Sequence, residues 1–259
     1  MSDDLEVSRD GAVLSVTFNR PDRHNAMTYE MYDGLYAACE TADGDDGIKV
    51  LVLRGAGGRA FVSGTDIASF RDFRSGDDGI AYERRIGRVV NRLEDVRVPT
   101  VAAVQGYCVG GGLAIAAVCD LRVATLSSRF GMPIARTLGN CLSMNSLSIL
   151  VTQLGPARTL DLLLRAKMLD AAAAHAAGFV AELCAEDALD RTLASVVATL
   201  LEHAPLTMWA AKVAVARLRR ASLPQGDDLV TRVYGSEDFR RAVAAFGSES
   251  RGNTQWTGK

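Results

Sequence analysis

Residues 98–119, VPTVAAVQGYCVGGGLAIAAVC, carry no charge, and their reading decides the fold of the whole chain. By length alone the stretch reaches the roughly 20 apolar residues that span a bilayer. Its composition argues otherwise. Pro99, Gln105, Gly106 and the triplet Gly110, Gly111 and Gly112 divide it into a β-branched run (Val98, Thr100, Val101, Val104), a glycine turn and a short Ala/Leu/Ile segment. Neither flank carries a basic cluster or an aromatic belt. The stretch therefore reads as a buried strand, a turn and a helix beginning near Gly110.

The same alternation continues on both sides. Residues 5–8 and 12–19 read as strands joined at Asp10-Gly11, a hairpin dipeptide. Thr28 is a candidate N-cap for a helix with Met31, Leu35 and Ala38 on one stripe, and residues 48–53 (IKVLVL) are a buried strand. A charged, Arg-rich helix is expected over 78–96, strands at 120–124 and around Arg129 and Phe130, and helices over 140–154, 156–166 and 170–177. A short strand at 179–183 follows. Beyond it the pattern is helical only: Asp187 is expected to cap one helix, Pro205 to open a second and Ser236 to cap a third. The expected division is a body of repeated ββα units over 1–185 and a helical region over 186–259, in an α/β fold.

Composition excludes several classes. With Lys+Arg 29 against Asp+Glu 31 and a net charge of −2, the chain lacks the basic field that drives sequence-independent binding to nucleic acid or anionic membranes. The 5 cysteines stand singly, with no C-x-x-C pair, which points to a reducing, cytoplasmic setting and against a disulfide framework. The 3 histidines lie far apart with no H-x-x-x-H spacing, so no metal site is expected. The N-terminus, MSDDLEVSRD, is acidic and has no apolar core of a secretory signal.

Residues 55–60, GAGGRA, satisfy G-x-G-x-x-A directly after a strand and so imitate a dinucleotide fingerprint. That fingerprint needs a helix to open at the motif, and Phe61-Val62-Ser63-Gly64 are poor helix formers. Two glycine elements taken together are more informative. Residues 63–67 (SGTDI) and 107–112 (YCVGGG) each follow a strand, and each can expose backbone N–H groups. The N–H of Gly111 falls at a helix N-terminus, where the dipole favours negative charge. Two converging N–H donors would make an oxyanion hole.

The motifs NRPDRHNAM (19–27), AFVSGTDI (60–67), VAAVQGYCVGGGLA (101–114), CDLRVA (119–124), FGMP (130–133) and SEDFRRAVAAF (236–246) together resemble the enoyl-CoA hydratase/isomerase (crotonase) superfamily, in its order and spacing over nearly the whole chain. The resemblance implies a crotonase-like spiral of ββα repeats with a C-terminal helical trimerisation region, a homotrimer or homohexamer, and a place in fatty acid metabolism. It implies an acyl-CoA thioester as substrate, with no separate cofactor. The backbone N–H groups of Thr65 and Gly111 would hold the thioester carbonyl oxygen. Ser63, Gly64, Thr65, Asp66, Ile67, Gly110 and Gly111 would contact the coenzyme A portion, and Arg23 and His24 its phosphates. Arg251 and Lys259 are further basic candidates.

The sequence departs from that pattern in one respect. Hydratases of the family place glutamates at the positions occupied here by Ala114 and Ile134, neither of which can move a proton. Other chemistry around the same thioester (hydrolysis, dehalogenation, decarboxylation) or binding with little turnover is the alternative expectation. A nicotinamide dehydrogenase built on residues 55–60 is a third. Asn140, Cys141 and Ser143 lie near the position of a dehalogenase nucleophile, with Cys141 the reactive candidate. By the resemblance, Tyr82 and Glu83 lie in a segment that often lines the acyl pocket, while their place on a charge-rich helix favours a solvated face. Asp66 is expected to organise local backbone, and Asp120 to turn or cap the chain.

Overall fold

The computed structural model describes residues 3–246 and 256–258, so Arg251 and Lys259 lie outside the described residues. Strands β1 (Leu5–Asp10) and β2 (Val13–Phe18) pair antiparallel from Leu5 against Phe18 to Asp10 against Val13. In β2, Leu14, Val16 and Phe18 are buried while their neighbours face outward, the period-two signature of a strand with one dry face. Helix α1 (Tyr29–Gly44) starts where expected, with the Thr28 hydroxyl accepting from Met31 N at 3.3 Å.

Three strand pairs then repeat one pattern. Strands β3 (Val50–Gly55), β5 (Thr100–Val104) and β7 (Leu121–Thr125) enter one sheet, and each is followed at once by β4 (Ala60–Val62), β6 (Tyr107–Val109) or β8 (Arg129–Gly131) in another. Helix α2 (Gly76–Glu94) and helix α3 (Gly111–Val118) link the successive pairs. After β8 come α4 (Ile134–Thr137), α5 (Met144–Leu164), β9 (Leu169–Asp170), α6 (Ala171–Ala176) and β10 (Glu182–Cys184). The large sheet has the order β1-β2-β3-β5-β7-β10, parallel from β2 onward, and the small sheet the order β4-β6-β8-β9, antiparallel only at its β9 edge. This is a spiral of ββα units.

Stretch 98–119 contains the strand, turn and helix its composition predicts, as β5, Gln105-Gly106 and α3, and between turn and helix a short strand, β6, that the sequence reading did not anticipate. No helix among the described residues is long and apolar enough to cross a membrane. Both faces of the large sheet are covered, which is why its strands read as unbroken apolar runs. Leu51 and Leu53 pack into the core shared with α1, α2 and α3, while Val50 and Val52 face Leu189, Leu193 and Val197 of α7 (Leu189–Glu202). Each such fully buried side chain contributes about 1.5–3 kcal/mol relative to exposure.

Helix α8 (Pro205–Arg220) follows, then α9 (Asp227–Tyr234) and α10 (Glu237–Ala245). Asp120 lies in the bend between α3 and β7, so the chain turns there as expected. Its carboxylate accepts from Thr100 N at 2.7 Å and pairs with Lys212 at 2.6 Å, fastening α8 to the body. Arg122 of the CDLRVA motif is buried and donates to the carbonyls of Ala116 and Cys119, at 3.0 and 2.6 Å, closing the end of α3 where a cation suits the dipole.

Several boundaries differ from the sequence reading. Helix α2 begins at Gly76 because the Asp78 carboxylate accepts from the N–H groups of Arg74 and Ser75, at 2.7 and 2.9 Å. The break expected between helices at 140–154 and 156–166 is present at Gly155 (φ 76°, ψ 161°), and only the outer ends differ, at Met144 and Leu164. The last strand lies at 182–184 and not at 179–183, because Phe179 and Val180 are held back by hydrogen bonds to Ala174 O. Asp187 sits inside a 3-10 turn, Glu186–Ala188, that precedes α7 and does not cap it. Residues 55–60 run from a turn into strand β4, with no helix opening there, so the dinucleotide reading falls.

Candidate functional site

The two glycine elements meet. Gly110 has φ 58° and packs against Gly64, where an added Cβ would lie 3.3 Å from the Gly64 Cα. At Gly112 an added Cβ would lie 2.2 Å from Val62 O, so α3 presses on β4 too closely for any side chain. Between them, a Cβ on Gly111 would stand 3.7 Å from Thr65 N and 2.5 Å from the Tyr32 hydroxyl oxygen. The triplet is a packing requirement that also brings two loop backbones together.

The loop bearing Thr65 is held from behind by the NRPDRHNAM segment. Met27 N donates to Gly64 O and Asp66 N donates to Met27 O, both at 2.8 Å, which turns the intervening Thr65 N–H away from that segment. Buried Asn25 donates to Ala60 O at 2.7 Å and to Ala56 O at 3.0 Å, and accepts from Arg20 N at 2.9 Å. Arg20 donates to Asp66 at 3.0 Å, and Asp66 in turn accepts from Ala68 N at 3.1 Å. Asp66 thus organises backbone, as expected.

Thr65 is fixed through its side chain as well. Its Oγ1 lies 2.9 Å from the Tyr32 hydroxyl and 2.7 Å from the Tyr82 hydroxyl. Burial pushes both phenols above their ordinary range, so both remain protonated. The N–H groups of Thr65 and of Gly111, the first residue of α3, have no hydrogen-bond acceptor among the described residues.

A cavity of about 290 Å³ opens in front of this backbone. His24, Ser63, Gly64, Thr65, Ile67, Gly110 and Gly111 all line it, and so do Ala114 and Ile134. The small residue at 114 and the aliphatic one at 134 make that part of the wall apolar. Arg23 is exposed and, with Asp66, does not reach the lining. Two larger cavities, of about 350 and 570 Å³, lie beneath α8 and contain neither glycine element.

Cys141 is not brought to the cavity. Its Sγ faces Leu229 O of α9 at 3.8 Å, and burial pushes the thiol up to about 12, so no thiolate forms near neutral pH. The expected solvated face of α2 is also corrected at two positions. Tyr82 lies against Thr65, and Glu83 is only 8% exposed. Glu83 Oε2 accepts from Ser143 N and its Oε1 from the Tyr234 hydroxyl, both at 2.9 Å. Both Tyr82 and Glu83 line the cavity. Burial raises the Glu83 carboxyl above its ordinary range, against the lowering effect of these donors. Tyr32 was readable from sequence only as a helical apolar position, and Tyr234 carried no signal.

Two backbone N–H groups without acceptors among the described residues, one of them at a helix N-terminus, thus belong to residues that line one cavity. The chain belongs to the enoyl-CoA hydratase/isomerase family, whose model matches residues 8–258. It is similar to a probable enoyl-CoA hydratase of Mycobacterium tuberculosis, 31% identical over 244 residues and 93% of each chain. It is also similar to the 2,3-dehydroadipyl-CoA hydratase of Escherichia coli, 29% identical over 94% of this chain and 95% of the relative. The crystal structure of an enoyl-CoA hydratase/carnithine racemase from Magnetospirillum magneticum superimposes with a TM-score of 0.81 at 33% identity, over 100% of this chain and 97% of that one.

Proposed function

We propose that this enzyme binds an acyl-CoA thioester with its carbonyl oxygen between the N–H groups of Thr65 and Gly111 and stabilises the enolate formed there. The supporting observation is that these two N–H groups lack acceptors, lie on touching loops and front the cavity. Charge developing on the oxygen would meet preorganised donors and the positive end of α3, each donor being worth about 2.7–4 kcal/mol in the transition state. A reaction at the carbons beside the carbonyl follows, because only the transition state carries the full oxyanion. The thioester is the substrate and no separate cofactor takes part.

The coenzyme A portion runs past residues 63–67 and Gly110, with His24 at the mouth and Arg23 beyond it on the phosphate side. With aliphatic side chains at 114 and 134, water activation by glutamates at those positions is excluded, so hydration by that route is not assigned. A homotrimer or homohexamer is part of the same reading. It is supported by α8, where Leu206 and Leu218 are 77% and 78% exposed. The lone cysteines support a cytoplasmic location. The test is calorimetric titration with butyryl-CoA, followed by incubation with short, long and aromatic enoyl-CoA esters and mass spectrometry of the products. Binding with conversion of at least one ester supports the assignment. Binding without any product leaves an acyl-CoA-holding protein and overturns it.

A further inference from the structure

We propose that Glu83 is the proton-transferring group of this cavity, shifting a proton along the acyl chain so that a 3-enoyl thioester becomes a 2-enoyl thioester. The inference rests on the thioester reading above.

Glu83 is the one carboxyl group among the described residues that line the cavity; the other titratable side chains there are His24, Tyr82 and Tyr107. His24 and Tyr107 are exposed at the rim, Tyr107 by 51%. Glu83 is deep, on the same wall as Tyr82, which contacts Thr65. No cation pairs with it among the described residues. A buried carboxyl without a counter-charge costs stability, which a purely structural position could avoid with a neutral side chain. Such a group in a cavity is a candidate for proton chemistry.

The groups facing it from each packed element are neutral. They are Tyr82 on its own helix, Tyr32 on α1, Tyr234 on α9 and Cys141 after α4, and burial holds all four protonated. Tyr234 is a positioning residue. Asn140 Nδ2 donates to its oxygen at 3.2 Å, so the Tyr234 hydroxyl proton is left to point at Glu83 Oε1. Asn140, which lines the cavity, has its Oδ1 buried with no partner among the described residues, so this corner also holds an unused acceptor.

The step balances without a co-reactant. The Glu83 carboxylate takes the C2 proton, the C–H electron pair becomes the C1–C2 double bond, and the carbonyl π pair moves to the oxygen held by Thr65 and Gly111. On return, that oxygen pair re-forms the carbonyl, the C1–C2 pair moves to C2–C3, and the C3–C4 pair takes the proton from Glu83 at C4. One carboxyl performs both transfers in sequence. Syn addition of water would instead need a second group to hold the water, and the wall at Ala114 and Ile134 offers none.

The test compares wild type, Glu83→Gln and Tyr234→Phe on 3-hexenoyl-CoA, with product measured by mass spectrometry and deuterium uptake from D₂O at C2 and C4. Wild type is expected to isomerise the ester, and Glu83→Gln to lose about 10²–10⁴-fold in kcat while binding butyryl-CoA as wild type does. Tyr234→Phe removes a donor to the carboxylate and should move the acid limb of the pH profile upward, a shift that a merely structural contact would not produce. Glu83→Gln with wild-type turnover overturns the assignment. So does a wild type that binds butyryl-CoA yet neither isomerises nor exchanges. If Glu83→Gln fails to fold, coincident acid limbs for wild type and Tyr234→Phe overturn it. A wild type that binds no CoA ester removes the thioester reading itself, and this inference with it.

Discussion

The two walls of the cavity work in opposite ways. The glycine wall, residues 63–67 and 110–112, presents backbone atoms, and its side chains exist to hold the backbone in place. The facing wall, built from α2 and the segment 138–146 and backed by Tyr234 of α9, presents side chains on elements far apart in the chain. A backbone function needs a whole run of residues with fixed dihedrals and minimal bulk, so it leaves a dense motif. A side-chain function needs one letter and a partner, and leaves almost none.

The largest expected effect lies on the glycine wall. Thr65→Pro deletes one N–H outright and should lower kcat by about 10²–10³, with CoA-ester binding retained in calorimetry; turnover near wild type would mean that this wall is only packing. Gly111→Ala tests whether the wall is sterically closed. Its methyl would stand 2.5 Å from the Tyr32 oxygen, and overpacking of this kind costs about 1–3 kcal/mol in urea unfolding. Adding Tyr32→Phe, which removes that oxygen, should recover part of the loss. No recovery would place the strain elsewhere.

On the side-chain wall, Tyr234→Phe leaves a buried Glu83 oxygen without its donor and should cost about 1–3 kcal/mol of stability, again measured in urea. The pH dependence is smaller and has a definite sign. The folded Glu83 carboxyl titrates above its unfolded counterpart. Its contribution to stability is therefore complete at pH values below the unfolded carboxyl's titration, and is lost as pH rises through the folded one. The melting temperature of Glu83→Gln minus that of wild type should thus increase from pH 4 to pH 8. A flat difference would show that the carboxyl is not desolvated. The smallest effect is at Cys141, whose raised thiol should react with iodoacetamide at pH 7.5 far more slowly than a free thiol.

Much of the spiral was legible in the sequence. Alternating burial in β2, the double-faced run in β3 and the glycine triplet each reflect a local rule, and the Thr28 and Ser236 hydroxyls cap α1 and α10 as read. The convergence of Thr65 and Gly111 was anticipated from the motifs. What escaped was long-range. Glu83 sits among Asp77, Asp78, Arg84 and Arg85, a context that reads as solvated, and its partners Ser143 and Tyr234 lie 60 and 151 positions away. Helix α9 is short and follows a Gly-Asp-Asp start with little periodicity, so neither it nor its tyrosine stood out. Cys141 stood out by chemistry alone, and packing against α9 makes it inert.

The bond between Glu83 and Tyr234 has a consequence for biosynthesis. The glycine wall can assemble once residue 131 has left the ribosome, since Gly110 N donates to Gly131 O, but the cluster of Phe70, Leu138, Val230, Tyr234 and Phe239 behind the facing wall waits for about a hundred further residues. Throughout that interval the nascent chain carries an open apolar trough with an unsheltered carboxyl at its edge, a surface suited to chaperone binding. Site closure is therefore late in synthesis, and a ribosome that stalls before residue 226 leaves Glu83 without the Tyr234 hydroxyl.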